Sequence, residues 1–312
     1  MRKMTVYRSL LEMENLPDTM RAHVTLGVFD GIHLGHQELL RRTVESAKKT
    51  KAVPAVFTFT NHPLSVLAPA YAPALLTTDE SRVALFDKMG IRMAVIVHFD
   101  HALGDLSPDE FARNILVKKF EARHVVCGYN FRFGKDASGN VELLKRLGEK
   151  MGFSVDSVEP VRIGGDVVSS TRIREFLNQG MVEQAAEFLG RPYSLEAVVR
   201  KGMGRGTKLG YPTANLEFSP GLLIPAMGVY AVWIMLKGTP WKGMMNIGYN
   251  PTFPPERFSP EAHLLDFKGS LPGKKIEAQF VKKIRDEIRF KNEKELIEQL
   301  RRDEKMVRKI IQ

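Results

Sequence analysis

The chain has 312 residues, 44% of them hydrophobic, one cysteine and a formal net charge of +10. That length suits two hydrophobic cores. The lone Cys127 excludes an intrachain disulfide and fits a reducing cytoplasm. No apolar run approaches the roughly 20 residues of a membrane helix, and the N-terminus lacks the apolar core of a secretory signal, so neither is expected. The charge is uneven: residues 191–312 carry 22 Lys/Arg against 13 Asp/Glu, a net of +9, which leaves +1 for residues 1–190. A basic C-terminal part suits nucleic acid, ATP or another organic phosphate, or is simply a solubilising surface; charge alone does not choose.

In chain order, apolar runs alternate with amphipathic stretches. Val24–Phe29 reads as a buried strand ending in a glycine-rich turn, Gln37–Lys49 as a helix and Ala52–Phe59 as a second strand. Ser81–Met89 reads as a helix and Met93–Phe99 as a strand. Pro108–Phe120 reads as a helix with a Ser107/Glu110 capping box, and His124–Gly128 as a fourth strand. Continuous apolar strands separated by helices predict a parallel sheet covered on both faces. Arg172–Leu189 reads as two short helices separated at Gly180. Past Gly190 the texture changes to short strand-like runs at 194–200, 228–236, 243–247, 262–267 and 275–280, a spacing that predicts a small antiparallel barrel. A closing helix follows, capped by Asn292 with Glu295. The domain boundary is expected near residue 190.

The most informative stretch is Gly27–His36, GVFDGIHLGH, between a strand and a helix. A helix N-terminus offers free N–H groups and the positive end of its dipole to an anion, and Gly27, Gly31 and Gly35 let backbone approach closely. His33 and His36 are spaced to share a helix face and to donate hydrogen bonds to phosphate oxygens. Read alone, the glycines make a tight turn and the histidines pack. A second element, Val168–Arg174 (VSSTRIR), reads alone as a capped helix with two arginines. In the C-terminal part, Gly202–Leu216 (GMGRGTKLGYPTANL) is neither a Walker A sequence nor a dinucleotide fingerprint and alone reads as a flexible loop.

Together these motifs resemble the bifunctional bacterial riboflavin kinase/FAD synthetase family. GVFDGIHLGH is similar to the HxGH signature of nucleotidyltransferases, SSTRIR to the SSTxIR motif of FAD synthetases, and PTAN with Glu261–Phe267 (EAHLLDF) to the motifs of riboflavin kinases. Thr58–Pro63 and Gly128–Gly134 resemble two further FAD synthetase segments. The resemblance implies an α/β then mostly β architecture: a Rossmann-like nucleotidyltransferase domain over 1–190, then a small antiparallel β-barrel kinase domain over 191–312 with a C-terminal helix. It implies conversion of riboflavin to FMN and of FMN to FAD, with ATP as co-substrate and Mg²⁺. For adenylyl transfer it implies ATP contacts at Gly27, Phe29, Asp30, Gly35, His36, Ser170, Thr171 and Arg174, catalysis at His33 and His36, and flavin contacts at Asn61, His62 and Asn130. For the kinase it implies Glu261 as base, Gly204, Lys208, Gly210, Thr213 and Asn215 at ATP, Thr213 and Asn215 at Mg²⁺, and Arg285 and Arg289, read as helix-surface arginines, at flavin or phosphate.

The chemistry differs between the halves. FMN attacks through a phosphate already ionised near neutral pH, so positioning and charge stabilisation suffice. A ribityl alcohol is a poor nucleophile when neutral and calls for a carboxylate base. The kinase half departs from the family pattern at Gly269–Gly273 (GSLPG), at Asn250 and at Glu196. An adenylyltransferase for another phosphate ester with a degenerate kinase half is the alternative. An RNA-binding protein is a third reading, disfavoured because the Lys/Arg of the last helix alternate with Glu/Asp. The expected partners are riboflavin, FMN, FAD and ATP in the cytoplasm, without nucleic acid or membrane; homo-oligomer formation is left open.

Overall fold

The computed structural model describes residues 4–13, 21–201, 206, 209–249 and 258–312. It divides into two compact units, Met1–Ser169 and Ser170–Gln312.

The first unit holds a six-stranded parallel sheet. Its strands are β1 (Thr5–Tyr7), β2 (Ala22–Leu26), β3 (Val53–Phe59), β4 (Met93–Val97), β5 (His124–Gly128) and β6 (Ser154–Val158), in the order β1-β4-β3-β2-β5-β6. Successive side chains point to opposite faces, and both faces are buried. Val24, Leu26, Phe57, Val95 and Val125 pack with Phe111, Leu116 and Leu144 on one side; Val56, Ile96 and Val126 pack with Leu39, Leu40 and Phe86 on the other. The covering helices are α1 (Leu34–Thr50), α2 (Leu64–Leu67), α3 (Asp79–Lys88), α4 (His101–Gly104), α5 (Pro108–Phe111) and α6 (Val141–Met151).

Two expectations change here. The single helix over 108–120 is instead α5 followed by a π-helical segment, Ala112–Val117. Its Ser107/Glu110 capping box is present: the Ser107 hydroxyl accepts the Glu110 N–H, and the Glu110 carboxylate accepts the Ser107 N–H at 2.8 Å. The first long strand stops at Leu26, because Phe29 turns into the left-handed region at φ +51°.

At the opposite end of the sheet from the glycine-rich turn, His23 of β2 pairs in register with His124 of β5, their rings 5.1 Å apart. His23 is buried, with Ser46 Oγ 2.8 Å from Nδ1 and Thr50 Oγ1 3.1 Å from Nε2. Burial, and then the neighbouring His124, lower its pKa from 6.5 to about 4. Between those two values the unfolded chain binds more protons than the folded one, so stability falls as pH drops through that window. Amide exchange in β2 and β5 is expected to speed up from pH 6.5 towards 4, after correction for intrinsic rates, and to do so less in His23→Gln.

The second unit begins with a helical pair, α7 (Ser170–Asn178) and α8 (Val182–Leu189). The sequence put the boundary near residue 190, at the change in texture. The helices divide instead with the barrel, because α8 packs on its strands, Ala226 N–H donates to Leu177 O at 2.9 Å, and Lys282 pairs with Glu183 at 2.8 Å. A short hairpin, β7 (Arg162–Ile163) and β8 (Asp166–Val167), precedes them in the first unit.

The barrel strands are β9 (Tyr193–Arg200), β10 (Ala214–Phe218), β11 (Gly228–Leu236), β12 (Thr239–Ile247), β13 (Glu261–Leu264) and β14 (Lys275–Arg285), closed in the order β10-β13-β12-β11-β14-β9. Helix α9 (Glu293–Ile310) covers one face, burying Val307 with Tyr211, Ala231, Met244 and Leu265. Asn292 caps it, accepting the Glu295 N–H at 3.0 Å, as the sequence predicts. β14 runs on to Arg285, so Arg285 ends a strand and Arg289 lies outside regular structure, exposed; neither is on a helix.

Candidate active sites

In the first unit, α1 carries the chain from β2 to β3 on one edge, and the chain later returns to lay β5 on the other edge of β2. The strand order reverses at β2/β5, and open α/β sheets bind ligands in the crevice beyond the strand ends at such a point. The loop 27–33 leaves β2 there and the segment 129–134 leaves β5 there.

His33 is the N-cap of α1, one position earlier than a first-turn residue: its Nδ1 accepts the His36 N–H at 3.3 Å. The two imidazoles stack with centroids 3.7 Å apart. A side chain at position 35 would press within 3.2 Å of the His33 ring and push on this stack, a pressure that Gly35 avoids. His36 Nδ1 is buried and has no hydrogen-bond partner among the described residues. Burial, then His33, then Arg82 hold the pKa of His36 well below the ordinary imidazole value, so it is neutral at physiological pH. A stacked pair at a helix N-terminus, with one member neutral, is a donor array for phosphate oxygens.

Other expected ATP and flavin contacts have structural duties here. Phe29, beyond Gly27, is fully buried against His36 and Phe86, which leaves only its backbone to meet a nucleotide. The Asp30 carboxylate accepts the Leu76 N–H at 2.9 and 3.0 Å and the Thr77 N–H and hydroxyl at 3.2 Å each, so it anchors the loop before α3. Asn61 clamps the Phe99 backbone, accepting its N–H at 2.8 Å and donating to its carbonyl at 3.0 Å. That engages both ends of the amide expected to meet flavin. His62 Nδ1 accepts the Leu64 N–H at 3.2 Å, and Asn130 is exposed after β5. In the second unit, Ser170 and Thr171 open α7 and Arg174 is half-buried one turn on.

In the barrel, strand register assembles the site. Glu261 of β13 stands directly opposite Asn215 of β10 on one side and Asn246 of β12 on the other. Thr213 Oγ1 donates to Glu261 Oε2 at 2.9 Å. Ser259 Oγ lies 3.0 Å from Asn215 Oδ1 and 3.3 Å from Glu261 Oε1, linking the two; the sequence reading missed it. Its only signal is a hydroxyl two residues before the glutamate. A cleft beside this row is lined by Tyr211, Val229, Met244, Ile288, Phe290, Leu296 and Leu300, with Glu261, Thr213 and Asn246 on its wall. Glu287 reaches over Gly248 towards Asn246 Nδ2 at 3.3 Å; any side chain at position 248 would collide with its carboxylate.

Arg285 lines this cleft, but its guanidinium is committed. It binds the buried Asp303 of α9 through Nε at 3.0 and 3.1 Å and Nη2 at 2.7 Å. Gly210 lies in a turn before Tyr211, and Gly204, Lys208 and Asn250 lie outside the described residues. Among the described residues, no three His, Cys, Asp or Glu side chains gather as a metal site.

The family model of FAD synthetase matches residues 16–172, and that of riboflavin kinase matches residues 189–311. The bifunctional riboflavin kinase/FMN adenylyltransferase of Listeria monocytogenes is 35% identical, the alignment covering 91% of each chain. That of Escherichia coli is 35% identical, covering 90% of each. The chain belongs to the bifunctional riboflavin kinase/FMN adenylyltransferase family. In this chain the FAD synthetase match is N-terminal and the riboflavin kinase match C-terminal. The two matches leave 173–188, most of α7 and α8, between them. A crystal structure solved as a macrolide-efflux protein from Streptococcus pneumoniae shares the fold over 98% of both chains, with TM-score 0.87 and 30% identity. Among the described residues, no helix is long and apolar enough to cross a membrane.

Proposed function

We propose that this chain phosphorylates riboflavin at the barrel site and adenylylates the resulting FMN at the turn after β2, consuming ATP in each step, in the cytoplasm. The observation that carries the reading is the Thr213–Glu261–Ser259–Asn215 cluster opening onto an apolar cleft. The cleft's apolar walls suit an isoalloxazine ring. Glu261 accepts the proton of the ribityl hydroxyl as that oxygen attacks the γ-phosphorus, the bond to the bridging oxygen breaks and ADP leaves. Thr213 and Ser259 hold the Glu261 carboxylate in place.

Thr213 and Asn215 offer neutral oxygen donors beside a carboxylate, a donor set that fits Mg²⁺. Bound there, the ion would neutralise phosphate charge. At the other site, His33 and His36 donate to the phosphate oxygens of ATP while the FMN phosphate attacks the α-phosphorus and diphosphate leaves. No side chain need remove a proton there. Ser170, Thr171 and Arg174 are assigned to nucleotide on their sequence motif.

A time course with riboflavin, ATP and Mg²⁺, resolved by chromatography, tests the reading. FMN is expected first and FAD after it, with FMN passing through a maximum. FAD with no detectable FMN would overturn release of FMN between steps, and FMN alone, with added FMN untouched, would overturn the adenylyltransferase half.

A further inference from the structure

The turn that presents the two histidines is strained. Phe29 and Ile32 sit at φ +51° and +41° and Gly31 at +82°. A non-glycine residue there costs about 1 kcal/mol or more and persists only when its surroundings hold it. Asp30 supplies one anchor. The other is Arg82 of α3, 3% exposed and unremarked by any sequence motif. Its Nη1 donates to the Val28 carbonyl at 3.0 Å and its Nη2 to the Phe59 carbonyl at 2.7 Å, while Asp79 takes a further short bond. Thr58 Oγ1 donates to the same Val28 carbonyl at 2.8 Å. One guanidinium thus spans the ends of β2 and β3 beneath the turn.

We propose that Arg82 is a positioning residue for adenylyl transfer: its planar fork ties the Val28 and Phe59 carbonyls together and so fixes the turn that presents His33 and His36. The proposal rests on placing adenylyl transfer at those histidines.

Its charge has a second consequence. The groups facing His36 are the stacked His33 ring, the apolar Phe29 ring and Arg82, whose charge Asp79 offsets in part while also pairing with Arg8 at 3.2 Å. A proton on His36 Nδ1 would sit beside Arg82 with no partner among the described residues. After burial and the His33 ring, Arg82 adds to what holds His36 neutral, a donor that gives its N–H without first losing a proton. Removing that charge lets His36 protonate at higher pH.

The experiment measures FMN adenylylation against pH in Arg82→Gln, Arg82→Lys and His36→Ala, with riboflavin phosphorylation by the same samples as an internal control. Arg82→Gln is expected to lower kcat for adenylylation by ~10-fold or more, as misplaced catalytic groups do. It should also move the acid limb of the pH profile towards neutral and leave phosphorylation intact. Arg82→Lys keeps the charge without the fork, so kcat should fall with the acid limb unmoved. An acid limb unmoved in Arg82→Gln marks a merely structural role and overturns the proposal. If Arg82→Gln does not fold, Arg82→Lys decides, and an unaltered kcat in it overturns the proposal. His36→Ala separates the two readings. Full adenylylation without His36 removes the site assignment itself; an inactive His36→Ala beside a fully active Arg82→Lys removes only the role of Arg82.

Discussion

Glu261→Gln is expected to lower riboflavin phosphorylation by about a hundredfold or more while leaving FMN adenylylation unchanged. The magnitude follows from the loss of a general base, which contributes roughly 10² to 10⁴. The choice of glutamine matters. Its carbonyl can still accept the Thr213 hydroxyl, 2.9 Å away in the unaltered chain, so the wall of the cleft survives and only the basic oxygen is lost. The Ser259 hydroxyl also donates to Asn215 Oδ1 at 3.0 Å, a contact that does not involve residue 261. The measurement is a pair of initial rates on one preparation, one from riboflavin and one from supplied FMN. A fall in both rates in a folded protein would mean that the two reactions share a centre. An unchanged rate from riboflavin would send the base role elsewhere in the cleft, where Glu287 is the other carboxylate beside the Asn246 row.

How much of this was legible in the sequence depended on the range of the interaction. The Ser107/Glu110 box and the Asn292 cap lie within three residues, and both formed as read. The strand–turn–helix around His33 and His36 is equally local, although only the coordinates show the rings stacked. Glu261 was legible through its motif. Asn215 was legible through its own motif, but that it and Asn246 flank Glu261 follows only from the register of β10, β12 and β13, and β10 is five residues long and hidden behind a proline-threonine turn. Arg82 gave no signal in the sequence because its carbonyl partners lie 54 and 23 residues away. Asn61 and Arg285 show the converse. Each polar group was read as facing ligand, and each is occupied within the protein, by the Phe99 backbone and by Asp303. A motif marks where polar atoms lie; the packing around them decides how many remain for a substrate.

The Asp303–Arg285 pair carries the other large expected effect. Asp303 is 1% exposed, and besides Arg285 it accepts the Gln299 amide at 2.8 Å. Asp303→Ala leaves the Arg285 guanidinium in a mostly buried position without its counter-charge. Breaking such a pair from one side costs about 3 kcal/mol or more. The chain's two tryptophans, Trp233 and Trp241, lie in β11 and β12, so their fluorescence in a urea titration follows this unit. The midpoint is expected to fall in Asp303→Ala. It should recover in the double variant Arg285→Met, Asp303→Leu, because replacing both members with apolar groups of similar size is close to neutral. Riboflavin phosphorylation then divides two roles for the pair. If the double variant regains stability and activity together, the pair only docks α9 against the barrel. If stability returns and activity does not, the guanidinium also acts on the substrates, because it is the one charged member of this pair on the cleft wall whose sign suits a phosphate.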